Sequence, residues 1–225
     1  MKIKRIIDLS HKIVPEKEHF KCKVKNFDVT EILPQVVHRK DLWYILGEVT
    51  MCSHAGTHIE FPYHHLKEGK DASRFPIERL IGEGIVLNFA YKNPGEAITL
   101  EEIKAYDTKL KKGDILLIRT DCDKYYYTDQ WELQPYMTTE AVQWLIEKGI
   151  SCIGTDAAGI EVPGTDYQPN HMLLFESDIP MIESMTNLSM LESKRFLILI
   201  LPLPIERLDA CPVRIIAIEE EKKDE

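Results

Sequence analysis

The sequence predicts a mixed α/β fold in which helices flank a largely buried sheet. Several segments are short, continuous apolar runs, which is typical of strands covered on both faces. Segments with helical periodicity lie between them, and the two kinds alternate loosely along the 225 residues. This loose alternation favours a mixed sheet with some antiparallel pairing over a purely parallel one.

Eight strands and four helices follow from this pattern. The expected strands are residues 3–9, 43–51, 84–89, 114–120, 152–155, 181–183, 196–201 and 213–218. The expected helices are residues 76–80, 99–106, 138–148 and 187–191. In helix 138–148, Ala141, Trp144 and Leu145 fall at positions i, i+3 and i+4. Thr138 is a suitable N-cap and Gly149 a suitable end, so this helix has the clearest boundaries.

Composition limits the classes of function. The chain has 28 basic and 37 acidic residues, a net charge of −9, which argues against a nucleic-acid binder with a basic face. It contains no apolar run of about 18 residues that would indicate a transmembrane helix. The amino-terminal residues lack the apolar region and cleavage site of a signal peptide, so we expect a cytoplasmic protein. The acidic tail, residues 219–225, is expected to be a frayed, solvated end.

The five cysteines are expected to be reduced and mostly buried. They lie at positions 22, 52, 122, 152 and 211, without a CxxC pair. An odd number of widely spaced cysteines argues against a disulfide framework.

Residues 53–65 contain four histidines and one glutamate. Imidazole and carboxylate are ligands of zinc and manganese, so the segment indicates a metal site. A lone histidine is more often a surface residue or a satisfied core residue, but four of them beside a glutamate change that balance. His65 is left out of the candidate set because it could face solvent or the core.

The spacing of His54, His58, Glu60 and His64 requires a bent segment. At about 100° per residue a helix would separate the last two from the first two. A strand would spread the four over roughly 33 Å, too far for one metal centre. Gly56 can take a positive φ, and a proline at position 62 prevents a helix from continuing. We therefore expect a loop that leaves strand 43–51.

More ligands are needed for a catalytic centre, and His171 and Glu183 are the best candidates elsewhere. His171 begins an apolar run, and Glu183 lies twelve residues later in an apolar, strand-like stretch. A carboxylate in such surroundings is unfavourable unless it is paired or bound to a metal. An exposed strand face or a salt bridge would explain Glu183 equally well.

The histidine segment resembles the signature of the cyclase-like metal hydrolases, His-x-Gly-Thr-His-x-Asp-x-Pro-x-His. This family includes bacterial kynurenine formamidase (arylformamidase) and isatin hydrolase. Here residues 54–64 read His-Ala-Gly-Thr-His-Ile-Glu-Phe-Pro-Tyr-His. Other segments resemble the family's strands, so the similarity covers nearly the whole chain: residues 7–11, 114–120, 154–156, 201–204 and 209–214.

The resemblance implies one domain over residues 1–225, a barrel-like mixed sheet with outer helices of the swivelling β/β/α type. It implies one or two divalent ions, Zn or Mn, and a homo-oligomer, either dimer or tetramer. By the resemblance His64 is the acid/base, and the metal ligands are His54, His58, Glu60, His171 and Glu183.

Two departures from the family pattern concern the site. Glu60 stands where the family usually has aspartate, and the extra methylene could change the metal spacing. Residues 15–22 replace a Pro-Gly-Asp-like segment, so the substrate could differ from those of the best-known members.

The expected reaction is hydrolysis of an amide, formamide or cyclic amide, in a small aromatic or cyclic substrate. Metal-activated hydroxide attacks the carbonyl carbon, and His64 passes the proton to the leaving nitrogen. Phe20, Phe61 and Tyr63 are candidates for an apolar substrate wall, although each could equally belong to the core. The alternative is a metal-binding or ligand-binding protein of the same fold without turnover. A structural zinc domain is disfavoured because such sites prefer cysteine ligands.

A separate aromatic cluster, Tyr125, Tyr126, Tyr127 and Trp131, precedes helix 138–148. It would form either a lid or dimer surface, or a loop that packs against its own domain.

Overall fold

A nine-stranded sheet organises the residues that the computed structural model describes, namely 2–37, 39 and 41–221. The strands of these residues are β1 (Ile3–Asp8), β2 (Cys22–Asp28), β3 (Ile45–Met51), β4 (His58–Glu60), β5 (Ile81–Asn88), β6 (Ala97–Ile98), β7 (Ile115–Arg119), β8 (Tyr136–Met137), β9 (Cys152–Thr155), β10 (Met181–Glu183), β11 (Phe196–Ile200), β12 (Ala210–Pro212) and β13 (Ile215–Glu220). The α-helices are α1 (Val29–Ile32), α2 (Leu100–Lys104), α3 (Thr139–Lys148) and α4 (Pro169–Glu176).

The sheet has the order β1-β13-β11-β5-β7-β9-β10-β4-β12. Its centre is parallel, from β5 through β7 and β9 to β10, and the flanking pairs are antiparallel. This confirms the predicted mixed α/β fold. In the described ranges no helix has the length and apolar character needed to span a bilayer.

Two apolar clusters pack on opposite faces of the central strand β7. Ile115 and Leu117 point into one cluster, and Leu116 and Ile118 into the other, because side chains alternate along a strand. All four are almost fully buried, as expected of a strand covered on both faces.

The sheet curls around the first of these clusters into a half-barrel. Ile7 and Ala217 come from one end of the strand order and Ile59 and Cys211 from the other, yet all four pack in the cluster that contains Ile115 and Leu117. Helices α3 and α4 cover the opposite face and supply apolar side chains to the second cluster.

The eight predicted strands are present with boundary shifts of a few residues. Helix 138–148 is confirmed as α3, with Gly149 ending it at φ +77°. The segments predicted as helices at 76–80 and 187–191 form shorter 3₁₀ turns, Ile77–Leu80 and Leu188–Met190. Helix α4 was not predicted, because two of its four buried residues, Asn170 and His171, are polar and its buried face is therefore not an apolar stripe.

Strands β2 and β3 form a separate antiparallel ribbon, and β2 was also not predicted. Opposite residues pair on the same face of such a ribbon. Val24 pairs with Val49 and Cys22 with Met51. The side chains of Val24, Val49 and Met51 remain about half exposed.

The prediction of a frayed acidic tail is wrong at Glu219, while residues 222–225 lie outside the described residues. Glu219 belongs to β13 and is fully buried. Its carboxylate accepts hydrogen bonds from Arg5 Nε at 2.5 Å and from the backbone N–H of Glu192 at 2.8 Å and Ser193 at 2.5 Å. Burial opposes the charged form, but Arg5 and the backbone donors outweigh it and lower the pKa of Glu219 to about 2.

Replacing Glu219 with glutamine should destabilise the protein by about 1–3 kcal/mol at neutral pH, because a buried charge-assisted network is broken. Because the pKa of Glu219 is lowered on folding, its stabilising contribution is fully present at pH values above its usual pKa of 4.5. The contribution is lost as the pH falls toward about 2. The difference in the free energy of unfolding between wild type and Glu219→Gln, measured by urea unfolding, should therefore become smaller from pH 5 to pH 3. The exposed neighbour serves as control, since Glu220→Gln should change little. An unchanged difference across this range would contradict the assignment.

Candidate metal centre

The histidine segment turns sharply after β3 and then enters β4. Gly56 has φ +69°, and a Cβ on it would lie 2.6 Å from Ile13 Cγ1, so the turn needs a glycine. The predicted bend is therefore present. The prediction of a loop was wrong for His58–Glu60, which forms a strand between β10 and β12. Pro62 begins a 3₁₀ turn that carries His64.

Strand geometry aims the ligand candidates at one place. His58 and Glu60 are two residues apart on β4 and share a face, while Ile59 between them points into the core. Glu183 on β10 lies directly opposite His58. As a result His58 Nε2 is 3.5 Å from Glu183 Oε2.

The carboxylate of Glu60 is the centre of the cluster. Its Oε1 lies 3.0 Å from His54 Nε2, 3.6 Å from His58 Nε2 and 3.8 Å from His64 Nε2. Its Oε2 lies 3.4 Å from His171 Nε2. His171 Nε2 is also 3.5 Å from Oε1 of Glu183, so helix α4 delivers this histidine between the two carboxylates. The structure thus brings together all six residues singled out in the sequence.

In all four imidazoles Nδ1 points away from Glu60 and forms a hydrogen bond, while Nε2 faces Glu60. In His58, Nδ1–H donates to the carbonyl of Gly56 at 3.0 Å. In His171, Nδ1–H donates to Glu161 Oε1 at 2.9 Å. An outward donor at Nδ1 fixes the tautomer, so that the inward Nε2 offers a lone pair.

His54 and His64 are held through one further carboxylate, Asp209. Its Oδ2 accepts from His64 Nδ1–H at 2.9 Å, and its Oδ1 accepts from the Ser53 hydroxyl at 3.0 Å. Ser53 Oγ lies 3.0 Å from His54 Nδ1, and since its proton is given to Asp209 it accepts from that Nδ1–H. A continuous hydrogen-bond chain therefore links these two histidines.

Glu161 orients His171 and caps its helix. Besides the imidazole, Oε1 accepts from the backbone N–H groups of Asn170 and His171, each at 2.9 Å. A carboxylate at a helix amino terminus is favourable because the first N–H groups lack helical partners.

Ser53, Glu161 and Asp209 were missed in the sequence. Asp209 lies in a segment matched to the family's strands, but nothing in its spacing connects it to His64. Ser53 immediately precedes the histidine cluster, which is the one local signal among the three.

The buried carboxylates of the cluster favour positive charge on the groups around them. Burial works against a charged His58, but the carboxylates of Glu183 and Glu60 raise its pKa to about 10. Despite burial, the pKa of His171 lies well above its usual value because of Glu161 and Glu183. Burial would raise the pKa of Glu60, but the neighbouring imidazoles hold it well below the usual range. Protons or a cation are needed here, and a divalent cation replaces such protons when it binds.

The donor set fits a divalent metal. The buried atoms His54 Nε2, His58 Nε2 and Glu60 Oε2 form no hydrogen bond, although they lie close to one another. Ligand atoms of His54, Glu60 and His64 lie within 4.8 Å of one another, as do those of His58, Glu60 and Glu183. Imidazole nitrogen with carboxylate oxygen suits zinc or manganese, and Glu60 is common to both groups.

A cavity of about 400 Å³ opens beside the cluster, with His58, His171 and Glu183 in its wall. Phe20 contributes to this wall, and its ring centroid lies 5.9 Å from that of His54.

The other two predicted wall residues are placed differently. The structure puts Phe61 in the core, fully buried and 5.4 Å from Phe75 by ring centroids, because Phe61 follows β4 with its side chain on the core face. Tyr63 is half-buried, and it is not among the described residues that line the cavity.

The aromatic cluster 125–131 packs against its own domain. Tyr126 and Trp131 are buried in a small cluster with Cys122 and Ala157, and Tyr126 stacks on His11 at 4.1 Å between centroids. Trp131 also lines the cavity.

All five cysteines are free, and four of them are buried, as expected.

This fold and cluster have clear counterparts among known proteins. Residues 7–162 match the family described as putative cyclase. The isatin hydrolase of Roseibium aggregatum is 31% identical over 78% of this chain and 73% of its own length. The kynurenine formamidase of Erythrobacter litoralis is 28% identical over 73% of each chain. The crystal structure of an isatin hydrolase bound to the product analogue thioisatinate superposes with a TM-score of 0.84, at 20% identity, over 96% of this chain and 93% of that one.

The sequence relatives define the class as a hydrolytic enzyme. The chain belongs to the putative cyclase family.

Proposed function

We propose that the protein is a metal-dependent hydrolase that cleaves the carbon–nitrogen bond of a small amide, formamide or cyclic amide other than a peptide. The observation that carries the proposal is the convergence of four imidazole Nε2 atoms on the Glu60 carboxylate, beside a cavity large enough for a small molecule. The similarity to isatin hydrolase and kynurenine formamidase supports the choice of bond.

One or two zinc or manganese ions would be held by five residues of the cluster. These are His54, His58, Glu60, His171 and Glu183, whose ligand atoms face one another. When bound, such an ion polarises a carbonyl oxygen and lowers the pKa of water so that it can attack at neutral pH.

His64 is the proton carrier in this proposal. Its side chain is 24% exposed, against 14% for His54, 2% for His58 and 4% for His171, so it is the most accessible of the four imidazoles and the one best able to exchange a proton with solvent. Asp209 holds the ring through Nδ1 and stabilises the imidazolium, while burial opposes it, and the net effect is a raised pKa of His64. Nε2 is then free to carry the proton.

The proton balance assigns His64 two transfers. It takes a proton from the attacking water as the new carbon–oxygen bond forms at the carbonyl. It returns that proton to the nitrogen as the carbon–nitrogen bond breaks, which releases a carboxylic acid and an amine. Water and amide are the only reactants, and no oxidant or reductant is needed.

Removing a ligand and removing the proton carrier should have different effects. We expect His58→Ala to abolish stoichiometric metal binding, because Nε2 of His58 is a central ligand. We expect His64→Ala to keep its metal and to lose about 10²–10⁴-fold in kcat, the usual contribution of general acid–base catalysis. Metal analysis by mass spectrometry and turnover of formanilide, N-formylkynurenine and isatin would check both.

Loss of metal in His64→Ala would instead make His64 a ligand, in the group with His54 and Glu60. Full metal loading without hydrolysis of any tested amide would favour a binding protein over an enzyme.

Glu60→Asp tests the departure from the family pattern. Aspartate is shorter by one methylene, so a single carboxylate could no longer approach His54 and His171 from its two oxygens as Glu60 does. We expect metal affinity to fall by about 10–100-fold, or the number of bound ions to decrease. Competition with a chromogenic chelator measures this, with the exposed helix substitution Glu140→Asp as control. Unchanged affinity and stoichiometry would show that the cluster adapts to the shorter side chain.

We also propose that the protein forms a homo-oligomer through the β2–β3 ribbon. An isolated two-stranded ribbon is marginally stable in water, and this one leaves Val24, Val49 and Met51 half exposed on one face. Lys23 and Lys25 stand on the other face, so the part of the apolar face around Val24 and Val49 can close on a second copy without burying these ammonium groups.

The double substitution Val24→Lys/Val49→Lys should therefore lower the molecular mass measured by light scattering after size exclusion toward 26.0 kDa. Leu203→Lys, at a similarly exposed apolar side chain outside the ribbon, is the control. An unchanged mass in the ribbon variant would place the contact elsewhere.

A further inference from the structure

Apart from its histidines, the cavity beside the metal cluster is lined by acidic and neutral side chains. Among the described residues that line it there is no lysine and no arginine. The carboxylates in its wall are Glu132, Glu161 and Glu183. Away from the imidazoles and the metal that they would hold, an anionic group on a substrate would find no cationic partner in this wall, which is unfavourable for a desolvated charge.

The chain sequence extends this asymmetry beyond the wall itself. From Tyr125 to Ser193 it contains eleven acidic residues and one basic residue, Lys148, a net charge of −10. Much of the cavity wall, from Trp131 to Ser184, comes from this stretch. Asp178 and Glu192 are paired with basic residues from outside this stretch, and the acidic excess that remains attracts cations and repels anions.

Bound metal would neutralise the inner carboxylates but not the outer one. Glu60 and Glu183 face the metal cluster, and Glu161 is engaged by His171 and the start of α4. Glu132 is exposed, and within the described part of the chain it forms no hydrogen bond or ion pair. It is thus the uncompensated charge at the cavity when the centre is loaded.

Aromatic rings accompany this charge. Phe20 is 50% exposed and Trp131 is buried with part of its ring in the wall. The Trp131 ring is stacked with the imidazole of His19, with 6.0 Å between centroids and an 18° interplanar angle. A half-exposed phenyl ring and an unpaired carboxylate that line the same cavity are suitable groups for binding an ammonium group.

We propose that the enzyme selects amides whose end remote from the scissile bond carries a positive charge, and that it discriminates against those carrying a carboxylate or phosphate. Glu132 is the specificity-determining charge, and Phe20 supplies the ring face. This selectivity rests on the proposed carbon–nitrogen hydrolysis.

Three formanilides that differ only in the para substituent test the selectivity: 4-(aminomethyl)formanilide, formanilide and 4-formamidobenzoate. Their side groups are cationic, neutral and anionic at pH 7.5. We expect kcat/KM of the zinc-loaded protein to fall in that order, with a difference of at least about tenfold between cation and anion at low salt. The difference should shrink as the salt concentration rises, because exposed charges are screened.

Variants assign the effect to its residue. Each kcat/KM is first divided by that of the neutral formanilide. Glu132→Gln should reduce the ratio of kcat/KM for the cationic substrate to kcat/KM for the anionic one, and Glu132→Lys should bring this ratio to one or below. Asp129→Asn removes an exposed charge from the same loop but outside the wall, and should leave the ratio as in wild type. An unchanged ratio in both Glu132 variants would overturn the role of this residue.

The outcomes separate the selectivity from the reaction. Hydrolysis of all three formanilides at equal rates would overturn the charge selectivity and leave the proposed function standing. Absence of any hydrolysis would contradict the proposed function for this substrate class. In that case equilibrium binding of the same three compounds to the zinc-loaded protein decides the selectivity, which fails if the cation does not bind more tightly than the anion.

Discussion

The buried carboxylate of Glu60 is the group on which the rest of the site depends. Four histidines direct Nε2 toward it, from a turn, from β4, from the 3₁₀ turn after it and from helix α4. A carboxylate can be buried in such surroundings only if positive charge accompanies it. The need for protons or a cation is therefore a consequence of where the backbone places these side chains, and it would couple the stability of the centre to metal binding.

Preorganisation of the centre comes from the outward side of each imidazole. Gly56, Ser53, Asp209 and Glu161 accept the Nδ1 protons, so no ring can turn without losing a hydrogen bond. Such partners fix the tautomer and direction of a ligand before the ion arrives. The partners differ in charge, and this gives the four histidines different environments: His64 and His171 face a full carboxylate, whereas His58 faces a neutral carbonyl.

The curled sheet explains why distant segments can share these tasks. The central parallel strands hold β9 and β10 side by side, and β4 joins them in antiparallel fashion, which sets Glu183 opposite His58. The segment between β9 and α4 carries Glu161, which orients His171 and also lines the cavity. The orientation of His171 and the shape of the cavity are thus connected through one segment, and a change there is expected to affect both.

The sequence alone determined the mixed α/β class, the eight strands and the helix ending at Gly149, because apolar periodicity and capping residues are local signals. It also determined the candidate ligands within residues 54–64, since their residue types and spacing exclude a regular helix or strand. Only the tertiary structure decided that His58 and Glu60 stand on a strand, that Phe61 belongs to the core, and that Asp209 and Glu161 hold His64 and His171. Those outcomes depend on strand register and on contacts between residues that are far apart in the sequence, such as His64 and Asp209 at a separation of 145 positions, which no local pattern encodes.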